Sequence, residues 1–315
     1  RNCDWFFTED AVLVDTAGRY VQQQSDPEID SAEWLGFLDM LKKHRGKRAL
    51  NGVILTLSLK ELLAGEASVR EHGREIRKRL AELRERLQIQ LPVYLMLTKV
   101  DLVPGFESFF GSLPTKDREQ VWGATLPTDA RIDRTTIERE TKALLANLET
   151  RLTTRMAEDV PLDQRAEVFR FPSQVERLEG PLKLLIDTVF GESRYEESPW
   201  LRGFYLTSAT QEGSPIDRLV GELAGSFGLN ADAAPRRAFG EKRSYFLRNM
   251  LTDLIFPEAG LGTFDAAAEE RRKWIWRGSI AGASLVTLIA GLVFLFSFLR
   301  YSGGIDDQER LLADL

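Results

Sequence analysis

The sequence predicts an α/β protein: a mostly parallel sheet with helices on both faces, a helical insertion or subdomain, and a single transmembrane helix near the end. Three observations carry this. Short apolar runs of strand length alternate with longer stretches of helical periodicity, the pattern of a parallel sheet. The alternation breaks over residues 106–201, where helical periodicity takes over. Finally, residues 279–299 hold no charged side chain. At about 1.5 Å per residue such a helix crosses the roughly 30 Å hydrocarbon core of a bilayer.

The elements follow in order. Residues 4–7 and 11–14 read as adjacent strands joined by the polar Thr8-Glu9-Asp10. Residues 32–43 read as a helix with Trp34, Leu35, Leu38 and Leu41 on one side. Residues 52–57 are a short apolar run suited to a buried strand. Residues 68–88 form a long charged helix with the stripe Val69, Ile76, Leu80, Leu83 and Leu87, and its many Arg and Glu residues read as a solvated face. Residues 92–97 and 203–207 are further strands. Between them, Ile137, Leu144, Leu145, Leu148, Leu152 and Met156 mark one helix and residues 175–190 another. Residues 215–227 read as a helix, 231–237 as a small-residue linker and 239–256 as a short helical module. The division expected is an α/β domain over 1–230 with its insertion at about 106–201, a juxtamembrane module at 231–270, the membrane helix at 275–300 and the start of a periplasmic region at 301–315.

Composition narrows the function. The 315 residues carry a net charge of −6, which argues against a nucleic-acid binder needing a basic surplus. Cys3 is the single cysteine, so no internal disulfide or cysteine-based zinc site is available, and a reduced cytoplasmic domain is expected. His44 and His72 are the only histidines, which disfavours a His-rich metal site or a Ser-His-Asp triad. Arg1 is not a natural start and Asp4 is already in a strand, so the sequence reads as a piece of a longer protein. Around the apolar segment, Arg271, Arg272, Lys273 and Arg277 precede it, whereas Arg300 and then Asp306, Asp307 and Glu309 follow. Trp274, Trp276 and Tyr301 flank it as interfacial aromatics. The positive-inside rule puts the N-terminal side in the cytoplasm.

Three motifs follow strands. Asp15-Thr16-Ala17-Gly18 comes after Ala11-Val12-Leu13-Val14. A carboxylate there can hold Mg²⁺ through water, and Gly18 can bring a backbone N–H to a γ-phosphate, so Asp15, Thr16 and Gly18 are the phosphate-side candidates. Thr98-Lys99-Val100-Asp101 fits the [Asn/Thr]-Lys-x-Asp pattern. Its carboxylate can accept two hydrogen bonds from guanine, which adenine cannot donate, while the Lys99 stem lies over the base. Ser208-Ala209-Thr210 resembles the loop that contacts guanine in GTPases. Each motif alone equally reads as a capped loop. Their order, at the C-terminal ends of parallel strands, is that of a GTPase-like, P-loop NTPase-like domain with GTP or ATP and Mg²⁺ as candidate cofactors. The phosphate loop Gly-x-x-x-x-Gly-Lys-[Ser/Thr] is not in the sequence; in GTPase order it precedes Asp4, so the expectation is a domain lacking its first strand and phosphate loop. Arg19 stands where Ras-like GTPases carry the water-orienting Gln, so no catalytic residue is assigned and NTPase activity stays open.

Asp15-Thr-Ala-Gly-Arg-Tyr20, Leu97-Thr-Lys-Val-Asp-Leu102, Gly203-Phe-Tyr-Leu-Thr-Ser-Ala-Thr-Gln-Glu-Gly213 and Tyr245-Phe-Leu-Arg-Asn-Met-Leu-Thr-Asp-Leu-Ile-Phe-Pro-Glu258 together resemble the IcmF/TssM family of bacterial type VI secretion. The resemblance implies a bacterial inner-membrane protein with a cytoplasmic NTPase-like domain and a long periplasmic region. It implies a DotU/TssL-type inner-membrane partner, a TssJ-type outer-membrane lipoprotein, baseplate components and self-association. By the same carry-over Asp15 and Gly18 sit near Mg²⁺ and phosphate, and Lys99, Asp101, Ser208 and Ala209 near the base. Three readings stay open: a structural subunit of the trans-envelope complex, an active GTP- or ATP-hydrolysing switch tethered to the membrane, and a membrane-tethered GTPase of another pathway.

Overall fold

The structure, a computed structural model, describes residues 3–16, 27–46, 49–128, 134–193, 197–209, 243–264 and 274–295. It divides into two units, residues 1–263 and 264–315.

The first unit is built on a four-stranded sheet. Strands β3 (Val53–Ser58), β4 (Pro92–Thr98) and β6 (Trp200–Leu206) run parallel, and the short β5 (Gly123–Thr125) closes the edge antiparallel to β6, giving the order β3-β4-β6-β5. The hydrophobic runs of β4 and β6 reflect burial on both faces, whereas β3, at the sheet edge, is mostly half-buried. One face sends Val93, Leu95, Leu97, Leu201, Phe204 and Leu206 into the main core. The other sends Tyr94 and Tyr205, which enclose Met250 with Leu247, Leu251 and Leu254 around it.

The main core is covered by helices. Helix α2 (Glu66–Leu87) buries Val69, Ile76, Leu83 and Leu87 of the expected stripe. It also buries Gly73, where a Cβ would come within 2.9 Å of Thr188 Cγ2; the missing side chain lets α2 pack closely on α6 (Glu179–Phe190). The charged face is not wholly solvated as expected: Arg79 is buried and paired with Glu75 at 3.2 Å and Glu82 at 2.9 Å. Its long stem fits beneath the helix only because both carboxylates follow it in.

Three expectations change. Residues 175–190 are not one helix: α5 (Leu162–Glu176) ends and α6 begins at Glu179, with Arg177 and Leu178 turning between them. The insertion is not purely helical, because it contributes β5 alongside α3 (Phe106–Phe110), α4 (Arg134–Ala157) and α5. Helices do not cover both sheet faces alike. Helix α1 (Pro27–Arg45) packs through Trp34, Leu38 and Leu41 against the end of α2, and the second face is covered by residues 247–255, while Tyr245 and Phe246 join the main core.

The two N-terminal strands form as expected, β1 (Asp4–Phe7) antiparallel to β2 (Val12–Asp15). They make a two-stranded sheet of their own, and Phe6 and Phe7 are 54% and 77% exposed. Gly18, the expected helix at 215–227, the linker at 231–237 and the start of the module at 239–256 lie outside the described residues.

The second unit contains helix Trp274–Leu295, 22 residues long, apolar on every side and buried nowhere along its apolar window. It is long and apolar enough to cross a membrane. An apolar surface of this kind is satisfied by lipid rather than water. Leu288→Arg, near its middle, is expected to cost about 3 kcal/mol of insertion. Carbonate extraction of membranes should then release the variant and retain the wild type.

Candidate functional site

The C-terminal ends of β4 and β6 carry the site. Leaving β4, Lys99 adopts a left-handed conformation, φ 62° and ψ 34°, which turns the chain so that residues 100–102 form a single tight 3₁₀ turn. Leu102 N–H donates to Lys99 C=O at 3.1 Å and Val103 N–H to Val100 C=O at 3.0 Å. The two strand ends are laced together. Thr207 N–H donates to Leu97 C=O at 2.8 Å, its hydroxyl donates to the same oxygen at 3.2 Å, and Val100 N–H donates to Thr207 C=O at 3.3 Å.

This lacing brings two of the expected residues into contact. The buried Ser208 hydroxyl donates to Asp101 Oδ1 at 2.5 Å. Thr98 donates its hydroxyl to Leu57 C=O at 3.4 Å and so ties β4 to β3 rather than reaching Asp101. Lys99 is half-buried and Ala209 is exposed beside Ser208. Asp15 ends β2, on the separate two-stranded sheet, and is exposed, and Thr16 follows it. They stand at the end of a different sheet from the strands that carry the Asp101–Ser208 pair. Among the described residues no group of three or more His, Cys, Asp or Glu is placed to hold a metal ion.

The pair is gripped from outside by residues that motif reading did not single out for this role. Ser208 and Tyr245 exchange both backbone hydrogen bonds, at 3.0 and 2.8 Å. Phe246 N–H donates to Arg118 C=O at 2.5 Å and Asn249 N–H to Glu119 C=O at 3.1 Å. The Arg118 guanidinium lies 5.7 Å from the centre of the Tyr245 ring. The family-like stretch from Tyr245 was visible in the sequence; nothing there marked Arg118 or Glu119 as its anchors.

Burial pushes the Asp101 carboxyl above its ordinary range, and it outweighs the Ser208 hydrogen bond and the Lys99 charge, which pull the other way. The folded chain therefore holds this proton more tightly than the unfolded chain does. Stability from the group is present below the unfolded pKa and is lost as pH rises through the folded one. Asp101→Asn, uncharged throughout, should melt at a higher temperature than wild type at neutral pH. That advantage should vanish by about pH 3 in a pH series of thermal melts.

The donor set suits part of a nucleotide. A half-buried carboxylate with Oδ2 left over from the Ser208 bond, next to a lysine stem, can meet a base edge and face. A phosphate cradle and Mg²⁺ ligands are not brought to this place by the described residues, so no catalytic step follows from them.

A mixed α/β domain with a paired Asp–Ser site at its strand ends, in one chain with a helix able to cross a membrane, defines the class of protein. Residues 27–283 match the IcmF-related N-terminal domain. Over 303 residues, 95% of its length, the chain is 42% identical to a protein of Pseudomonas aeruginosa (strain PAO1) named "Type VI secretion system component TssM1". The chain spans 27% of that relative. No solved structure matches the chain. This chain belongs to the IcmF/TssM family.

Proposed function

We propose that this chain is a cytoplasmic and membrane-crossing portion of a structural inner-membrane subunit of a type VI secretion trans-envelope complex. The observation that carries the reading is the 42% identity across 95% of the chain to a protein named as a component of that system. The apolar helix Trp274–Leu295 supports it, since a trans-envelope subunit needs such a crossing. The cationic cluster at Arg271, Arg272, Lys273 and Arg277 favours a cytoplasmic domain and a periplasmic C-terminal end. In this reading the α/β domain couples the baseplate and tail to the envelope, beside a DotU/TssL-type inner-membrane protein, and a periplasmic region reaches a TssJ-type lipoprotein. Affinity purification of the full-length protein from solubilised envelopes should recover both partners. Recovery of neither would defeat the proposal.

A second reading, an active GTP- or ATP-hydrolysing switch, is favoured by the Asp101–Ser208 contact. Here the domain is P-loop NTPase-like, and a strand carrying a phosphate loop fills the space between β2 and β3. Both strands present a free edge among the described residues, which supports this placement. With that strand present, Asp15, Thr16 and Gly18 serve phosphate and Mg²⁺, while Thr98, Lys99, Asp101, Ser208 and Ala209 serve the base. Asp101→Ala is then expected to weaken GTP binding at least about tenfold and ATP binding less, since a base-reading carboxylate contributes on the order of 1.5–3 kcal/mol through its hydrogen bonds. Equal loss for both nucleotides, measured by titration calorimetry, would refute the base-reading role.

A further inference from the structure

Residues 245–260 cross the second face of the sheet from the strand C-termini to the opposite end, and they are fastened at both ends. At one end Tyr245 is paired to Ser208 by two backbone hydrogen bonds. Next to it Phe246 sits at φ 61°, a left-handed conformation that a bulky side chain adopts only when its surroundings impose it. Its ring contacts Phe110 and Trp122 at centroid distances of 5.1 and 5.2 Å. At the other end the Glu258 carboxylate accepts from Tyr94 Oη at 2.7 Å, from Arg202 Nη2 at 2.5 Å and from Arg202 Nε at 3.0 Å. Asn51 Nδ2 donates to Ala259 C=O at 2.7 Å.

Between the fastenings Met250–Ile255 is wound as a π-helix, with Phe256 N–H donating to Leu251 C=O at 2.9 Å. Such turns are rare, and they hold one residue more than an α-helix making the same bonds. Rewinding to an α-helix would rotate everything beyond Ile255 by about 100° and carry Glu258 off Arg202. The Glu258 fastening is thus compatible with the π form and not with the rewound helix.

We propose that residues 245–260 are a strap that couples the chain leading to the membrane helix with the Asp101–Ser208 pair, and that Glu258 with Arg202 and Tyr94 is its latch. Thr263 and Phe264 follow the latch and pair with Ile89–Gln90, and Trp274 opens the apolar helix further along the sequence, so displacement arriving at Phe264 meets this short pairing and then the latch. Release of the latch slackens the strap and frees Ser208 from Tyr245. The reading of the pair as a base site is required only for the ligand arm of the test.

The test is hydrogen–deuterium exchange on the full chain in lipid nanodiscs, comparing wild type with Glu258→Gln and no nucleotide present. Exchange is expected to rise about tenfold or more at amides 251–256 and also at Thr207, Ser208 and Tyr245, with α2 unchanged. A rise confined to residues 251–260 would overturn the strap. Tyr94→Phe removes one hydrogen bond to the latch and leaves the ion pair. It should give the same pattern at smaller size even where Glu258→Gln folds poorly, and no change at Ser208 would again overturn the proposal. In the ligand arm, Glu258→Gln should weaken binding of a GTP analogue. If wild type binds no nucleotide while the exchange pattern holds, the strap stands and the base-site reading fails.

Discussion

Phe106→Ala is expected to lower the unfolding free energy by about 3–5 kcal/mol. Phe106 is buried and opens α3, directly after the loop that carries Asp101. Its ring meets Phe110 and Tyr245 edge-on, both at 5.1 Å, and Phe171 at 6.2 Å. Truncation removes the ring from water-free surroundings and leaves a cavity between α3, α5 and Tyr245. These elements cannot collapse onto it independently, because Tyr245 is held by Ser208 and Phe171 by Phe109 and Phe110. Urea unfolding of the detergent-solubilised chain should show a lower midpoint with an unchanged slope. Phe106→Leu, which keeps most of the volume, should lose less than half as much; equal losses would place the effect outside packing.

Arg202→Ala is expected to cost a similar amount, about 3–5 kcal/mol, for an electrostatic reason. Arg202 and Glu258 are both largely buried, and the guanidinium meets the carboxylate through two of its nitrogens. Without Arg202, Glu258 keeps only the Tyr94 hydroxyl as a donor in this cluster, and a carboxylate left in that environment is poorly solvated. The same environment pushes the Tyr94 phenol far above its ordinary range, first through burial and then through Glu258, and burial pushes Tyr205 up to about 12. The double variant Arg202→Met with Glu258→Leu should recover most of the loss, since an apolar pair of similar volume avoids the desolvation of both ions. A thermodynamic cycle over wild type, Arg202→Met, Glu258→Leu and the double variant gives the coupling directly. An additive result would remove the ion pair as the cause.

The sheet was readable because its central strands β4 and β6 are buried on both faces and β3 keeps an apolar run. Runs such as Val53-Ile54-Leu55 and Val93-Tyr94-Leu95-Met96-Leu97 leave little alternative to a parallel strand. Helix α2 was readable because burial on one side imprints a 3.6-residue period. What stayed hidden has short-range causes of a different kind. Strand β5 has three residues and no period. It exists because Gly123 allows the main chain to lie against β6, where a Cβ would meet Phe204 O at 2.3 Å and Tyr205 Cα at 2.7 Å. The end of α5 at Glu176 was masked by an apolar pattern that runs through Val175, Leu178 and Leu182, all facing the same core. Of the candidate site, Asp101 and Ser208 were legible because both sit where a strand ends and a short polar motif begins. Their contact depends on Thr207 pairing with Leu97, a long-range bond that no local pattern encodes. The π-helical turn was invisible because Met250, Leu251, Leu254 and Ile255 satisfy an ordinary helical stripe, and the extra residue is wound in by the fastenings at either end.

The pairing of β4 with β6 also sets an order of events during synthesis. The hydroxyl bond from Thr207 to Leu97 joins residues 110 positions apart. At about 5–20 residues per second a ribosome needs on the order of ten seconds to deliver the second strand after the first. Helices form in roughly a microsecond. Helices α3 to α6 therefore have time to associate with one another while β4, already beside β3, still waits for β6. The insertion closes on itself through Phe109, Phe110 and Phe171, and β6 then completes the sheet beside the already available β3 and β4. Slowing translation across the insertion should then be tolerated. Shortening it should strand β4 as an exposed edge open to aggregation on the ribosome.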